Sequence, residues 1–99
     1  MEIEIQAQHS DVHPHWRAII ERRAAKLLEF SKDILRLHVT MVHSTHHVTG
    51  NDEVRLLASV PRTTLRVHKV AASMGDAIHA AFSALERELQ SFVERRRGG

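Results

Sequence analysis

Histidine is concentrated in the stretch "VHSTHHVTGND", where His43, His46 and His47 precede a turn signal. Because neutral imidazole is a good ligand for zinc and copper, these side chains could converge on one such ion. The stretch holds no cysteine, its nearest carboxylate is Asp52, and a closed zinc site takes about four ligands. A polar hairpin tip closed by a Gly-Asn pair accounts for the same residues without a metal or a cofactor. We predict the hairpin tip and keep the metal site as the alternative.

Catalytic chemistry has little support in the sequence. Serine, histidine and acidic residues are present, but no stretch resembles a nucleophile elbow or a glycine-rich phosphate loop. The chain has no cysteine, which excludes a thiolate nucleophile, a thiolate zinc site and disulfides. We therefore expect a protein that is not an enzyme.

Basic residues are unevenly placed along the chain, although the formal net charge is only +2. Residues 54–75 contain no acid, and residues 95–97 are all arginine. The acid-free segment carries four permanently basic side chains: Arg55, Arg62, Arg66 and Lys69. This placement is compatible with an anionic partner, and also with ordinary solvated surface charge.

The length and composition indicate one folded domain over residues 1–99. The chain is 42% hydrophobic and 26% charged, which is usual for a globular domain. No apolar run approaches the roughly 20 residues of a membrane helix, and the acidic start "MEIEIQ" is unlike a signal peptide. We expect a cytoplasmic protein without a membrane partner.

Two hydrophobic periods define the first elements. Residues 2–7 alternate between apolar and polar side chains, which predicts a half-buried strand. Residues 14–30 carry apolar side chains at intervals of three and four, which predicts an amphipathic helix. Pro14 suits the first turn of this helix, and Asp11 is the candidate cap.

Alternation returns in residues 35–43, 53–60 and 64–71, with Pro61 ending the second of these strands. Ser73 and Asp76 resemble a capping box and begin a long amphipathic helix. The predicted class is α+β: a β-α-β-β-β-α two-layer sandwich, in which a four-stranded sheet carries two helices on one face.

Nucleic-acid binding by this fold would be electrostatic. The four aromatic residues, Trp16, Phe30, Phe82 and Phe92, all fall in predicted helices, so the sheet offers no stacking platform. Basic side chains are predicted on the uncovered sheet face at Arg36, His38, Arg55, Arg66 and His68, and on the helices at Arg22, Arg23, Lys26 and Arg87. Such groups bind phosphates rather than read bases.

Three stretches carry a family resemblance: "AIHAAFSALERELQSFVERRRG" (residues 77–98), "RRAAKLLEFSKDILRLHVTM" (residues 22–41) and "HSTHHVTGN" (residues 43–51). Together and in order they resemble the ribosome hibernation-promoting factors, also called ribosome-associated inhibitor A or ribosomal subunit interface proteins. The resemblance covers essentially the whole chain and corresponds to the short form, which lacks the domain that pairs ribosomes. It implies a double-stranded-RNA-binding-domain-like fold.

The resemblance also implies a function. Members of the family bind the small ribosomal subunit in the channel for messenger and transfer RNA, and inhibit translation in stationary phase or stress. The ribosomal RNA contacts would come from Lys26 and Arg87 at the matching basic positions, followed by Arg22, Arg23 and Arg95.

The chain departs from the family pattern in two ways near its last helix, which is also less basic than in many members because Glu86, Glu88 and Glu94 are interspersed. Where the family usually has Asp-hydrophobic-Tyr before Ala-Ile, this chain reads Ser73-Met74-Gly75. Two other functions therefore stay open: a metal-responsive or self-associating module that uses the histidine hairpin, and a scaffold that oligomerises through Leu57 and Val70 on the uncovered sheet face.

Overall fold

The computed structural model describes residues 1–43 and 52–98, with side chains as far as residue 95. The elements are β1 (Glu2–Ala7), α1 (Pro14–Phe30), β2 (Arg36–His43), β3 (Asp52–Val60), β4 (Thr63–Ala71) and α2 (Met74–Gly98). The predicted β-α-β-β-β-α order is confirmed. His46, His47 and the Gly-Asn pair of the predicted hairpin tip lie outside the described residues.

The strands form one mixed sheet in the order β1-β2-β3-β4. β2, β3 and β4 pair antiparallel, as the predicted meander requires. β1 pairs parallel to β2 because α1 returns the chain to the end of the sheet from which β1 started. The predicted α+β class is therefore confirmed.

Both helices pack on one face of the sheet, and the core lies between the two layers. Alternate residues of β2 and β3 point into this core, as their hydrophobic pattern predicts. The largest fully buried side chains are Phe82, Ile20, Leu27, Leu37, Leu56, Ile78, Leu85 and Leu89. Within the described ranges, neither helix is long and apolar enough to cross a membrane.

The start of α1 differs from the prediction, because the cap is His13 and not Asp11. Nδ1 of His13 accepts a hydrogen bond from the backbone N–H of His15 at 3.1 Å. Pro14 occupies the first helical position, so the capping residue is its immediate neighbour, and Asp11 lies too far upstream.

The start of α2 follows the prediction. Oγ of Ser73 accepts a hydrogen bond from the backbone N–H of Asp76 at 3.2 Å, as in the first half of a capping box. Asp76 also places a negative charge in the first turn, where the helix dipole favours it.

The two helices run side by side in the same direction. The indole of Trp16, near the start of α1, lies 3.5 Å from the position that a Cβ atom would take on Gly75, near the start of α2. Arg23, further along α1, reaches Ser83 and Glu86 in the middle of α2. The outer surface of the helical layer therefore combines one side of each helix along most of its length.

Candidate nucleic-acid interface

Four of the five predicted RNA-binding side chains lie exposed on the helical layer: Arg22, Lys26, Arg87 and Arg95. Within the described part of the chain, no ion pair involves any of them. An unpaired cation on the surface can bind a phosphate without first giving up a protein partner. These four side chains are therefore available to an anionic ligand.

Arg23, the fifth predicted residue, points between the helices and not into solvent. One of its terminal nitrogens, Nη2, lies 3.1 Å from Oε1 of Glu86 and 3.3 Å from Oγ of Ser83, and Nη1 lies 3.2 Å from Nδ1 of His79. Its guanidinium carbon lies 5.7 Å from the centre of the Phe82 ring, within the range of a cation–π contact. Arg23 therefore joins α1 to α2.

The contacts of Arg23 also place its neighbours. Lys26 follows Arg23 by three positions and so lies near the same side of α1, towards α2. Arg87 directly follows Glu86, the residue paired to Arg23, so its side chain points about 100° further round α2, away from the seam between the helices. Lys26 and Arg87 are thus both exposed on the outer surface of the helical layer, one on each helix.

The uncovered sheet face carries the other predicted basic side chains, and most of them are paired. Nη2 of Arg36 lies 3.0 Å from Oε2 of Glu2. Nε of Arg55 and Nε2 of His68 lie 2.5 Å and 2.6 Å from the two carboxylate oxygens of Glu53. These pairs lower the net positive charge that the sheet presents to a phosphate.

Two further side chains complete this face. Nε2 of His38 contacts Oε1 of Gln6 at 3.1 Å. Arg66 is exposed and has no ion pair among the described residues. Of the arginines predicted on the sheet face, Arg66 is therefore the one that remains unpaired within the described part of the chain.

Glu53 is the centre of the largest charge cluster on the sheet. Partial burial raises the pKa of Glu53, but the hydrogen bond from His68 and the charge of Arg55 lower it more, so that the pKa lies below its ordinary value of 4.5. The carboxylate is therefore ionised at neutral pH and holds both basic neighbours.

The first histidine of the predicted hairpin tip has a partner in the neighbouring strand. Nδ1 of His43 donates a hydrogen bond to Oδ1 of Asp52, which is buried. The pair borders a cavity of about 550 Å³ that His13 and Trp16 also line. Within residues 1–43 and 52–98, no group of three or more histidine or carboxylate side chains is arranged to hold a metal.

Comparison with known proteins identifies the family. The model of the family described as Sigma 54 modulation protein / S30EA ribosomal protein matches residues 3–97. The chain belongs to this family. The predicted resemblance is thereby confirmed, since the match includes the first strand and both helices. A comparison with curated proteins gives no match.

Solved structures share the fold of this S30EA family member. A ribosomal subunit interface protein from Coxiella burnetii matches with a TM-score of 0.85 at 17% identity, over 95% of this chain and 99% of that one. The N-terminal domain of Protein Y from Thermus thermophilus matches with a TM-score of 0.81 at 19% identity, over 93% and 99% of the two chains. At these identities the likeness concerns the fold.

Proposed function

We propose that this protein binds the small ribosomal subunit with its helical layer and inhibits translation by occupying the channel for messenger and transfer RNA. Its site of action would be the cytoplasm, and its period of action stationary phase or stress. The family description names a ribosomal protein, and one structural relative is titled a ribosomal subunit interface protein. These names support a ribosomal partner for this chain.

One observation supports the choice of the helical layer. Arg22, Lys26 and Arg87 are exposed there without ion pairs in the described residues, whereas Arg36 and Arg55 on the sheet are paired to carboxylates. Binding RNA through the sheet would first require these pairs to break. Binding through the helices replaces only water and small ions, so it is the less costly mode.

The proposed mode of binding is recognition of shape and phosphates. The four residues Trp16, Phe30, Phe82 and Phe92 all lie on the helices and none on the uncovered sheet face. Trp16, Phe82 and Phe92 are buried or half-buried, and Phe30, at the end of α1, is 42% exposed. The sheet therefore offers bases no aromatic platform, and affinity would come mainly from phosphate contacts that release counterions. Enzymatic turnover has no part in this mechanism, because occupancy of the channel alone would prevent messenger RNA from entering.

Co-sedimentation of the purified protein with small ribosomal subunits, across a salt series, tests the proposal. We expect saturable binding that weakens linearly in a plot of log affinity against log salt, with a slope of about −0.7 to −0.9 per phosphate contact. A messenger RNA oligomer that fills the channel should displace the protein. A matched oligomer that cannot enter the channel, because it is already in a duplex, should not.

Two results would contradict the proposal. Absence of binding at low salt would show that the small subunit is not the partner. Binding that both oligomers leave unchanged would place the site outside the channel, even if the affinity depended on salt.

A further inference from the structure

The turn between β3 and β4 carries an arginine in an unfavourable backbone conformation. Val60 pairs with Thr63, so only Pro61 and Arg62 form the loop of this hairpin. Arg62 has a φ of 71°, in the left-handed region where glycine is favoured and a side chain is strained. Pro61 suits the preceding position, as in a type II turn. The chain thus has an arginine at a position where glycine would adopt the left-handed backbone conformation with less strain.

A cleft lies directly beside this turn. It is lined by Pro61, Arg62, Thr63 and Phe92. Its volume of about 440 Å³ lies within the range of roughly 300–1,000 Å³ that is usual for ligand clefts. The lining combines one cation, one hydroxyl and two apolar rings. This combination suits a ligand with a negative group next to a flat or apolar body.

The charge around the cleft is positive. Arg62 is exposed and takes part in no ion pair within the described residues. Arg95 follows Phe92 by three positions on α2 and is exposed too. The nearest acid on that helix, Glu94, contacts the amide of Gln90 at 3.4 Å. An anion in the cleft would therefore meet the guanidinium of Arg62, which has no ion pair among the described residues, with Arg95 three positions further along the helix from Phe92.

We propose that the Pro61–Arg62 turn and Phe92 form a nucleotide subsite for single-stranded RNA, in which Arg62 binds a backbone phosphate. Thr63 can donate its hydroxyl hydrogen to a phosphate or sugar oxygen, and the Phe92 and Pro61 rings form the apolar wall for the sugar or base. That this RNA belongs to the ribosome rests on the proposed function above. The strain at Arg62 is then explained, because glycine would relieve it but remove the phosphate contact.

The test uses the full chain and two RNA probes: a fluorescent 12-nucleotide oligouridylate and purified small ribosomal subunits. Arg62→Gln is compared with Arg66→Gln, its matched control, because Arg66 is also exposed, unpaired in the described residues and within the acid-free segment. We expect Arg62→Gln to weaken oligouridylate binding about threefold to tenfold and to reduce the salt slope by about one. The control should change neither.

A second variant separates binding from folding. Arg62→Gly should keep or raise the melting temperature, because it relieves the left-handed strain, and yet weaken oligouridylate binding as Arg62→Gln does. A purely structural role of Arg62 cannot give these opposite changes.

The inference is overturned if Arg62→Gln and Arg66→Gln bind oligouridylate alike. It is also overturned if the parent protein binds the small subunit but not the oligomer, because the turn would then have no affinity for single-stranded RNA. If the parent binds the oligomer through Arg62 but not the small subunit, the subsite stands and the proposed ribosomal function fails.

Discussion

Arg23 and Glu86 form an ion pair of 3.1 Å between the two helices, with side chains that are only 19% and 17% exposed. Together with the contacts of Arg23 to His79 and Ser83, the pair joins α1 to α2 and holds the two helices in a fixed register. Because Lys26 lies three residues after Arg23 and Arg87 one residue after Glu86, the register also sets the spacing of the proposed phosphate contacts.

Loss of Arg23 should destabilise the fold, whereas loss of Arg22 should not. Arg23→Ala leaves Glu86 half-buried without its partner, which we expect to cost about 1–3 kcal/mol in the free energy of unfolding. Arg22→Ala removes an exposed side chain and should change this free energy by less than about 0.5 kcal/mol. Urea unfolding of both variants measures the difference. Equal stabilities would show that the Arg23 contacts contribute nothing to the fold.

Charge reversal on the helical layer should reduce binding to the small subunit without unfolding the protein. We expect Lys26→Glu combined with Arg87→Glu to reduce the salt slope by about one per lost phosphate contact. Arg66→Glu on the sheet face is the control and should bind like the parent. Co-sedimentation measures binding, and circular dichroism checks the fold. If Arg66→Glu weakened binding to the small subunit as much as the double variant, binding would depend on the overall charge of the protein and not on Lys26 and Arg87.

Acid should remove the contribution of Glu53 to stability. Because its folded pKa lies below the ordinary value of 4.5, ionised Glu53 stabilises the protein above that value, and the contribution is lost as the pH falls through the folded pKa. The stability difference between the parent and Glu53→Gln should therefore be largest near neutral pH and shrink below about pH 4.5. Urea unfolding from pH 7 to pH 3 measures it. A difference that does not change with pH would contradict this account.

The environment of Trp16 depends on the absence of a large side chain at Gly75. A Cβ atom there would meet the indole at ordinary contact distances of 3.5 and 3.8 Å, so Gly75→Ala should fit and stabilise the helix by about 0.5 kcal/mol. Gly75→Tyr adds a large ring beside the indole and should displace it. Fluorescence of Trp16, the only tryptophan, reports this as a shift to longer wavelength. An unchanged spectrum in Gly75→Tyr would show that the ring is not held there.

The spacing of apolar residues along the chain predicted the strands and helices well, because this spacing depends only on neighbouring residues in the sequence. The strands alternate where the sequence alternates, and α1 spans the predicted residues 14–30. The cap of α1 was the local error, since Asp11 has the better capping chemistry but His13 has the position next to Pro14. The edge strand β1 also buries less than its pattern indicates, because Ile3 remains 39% exposed.

The candidate site was predicted only as a set of basic residues, because charge alone does not reveal which cations are paired. Arg36 pairs with Glu2 on the neighbouring strand β1, a proximity that depends on strand register. Arg55 pairs with Glu53, which lies two residues earlier on the same face of its own strand. Leu57 is half-buried and Val70 is 50% exposed, so the sheet face remains partly apolar. The sequence marks Arg62 only as one basic residue of the acid-free segment. The preceding proline indicates a turn, but it does not show that Arg62 adopts a left-handed conformation.

Residue types at short, regular spacing suffice to predict the order of strands and helices, the core face of each and the family. The packing of α1 against α2 is needed to see that Arg23 lies between the helices while Arg22, its neighbour in the chain, faces solvent. Successive residues of a helix point about 100° apart, so which of two adjacent arginines meets Glu86 depends on how α1 and α2 pack. That packing separates the cation that joins the helices from the exposed cations that are proposed to bind RNA.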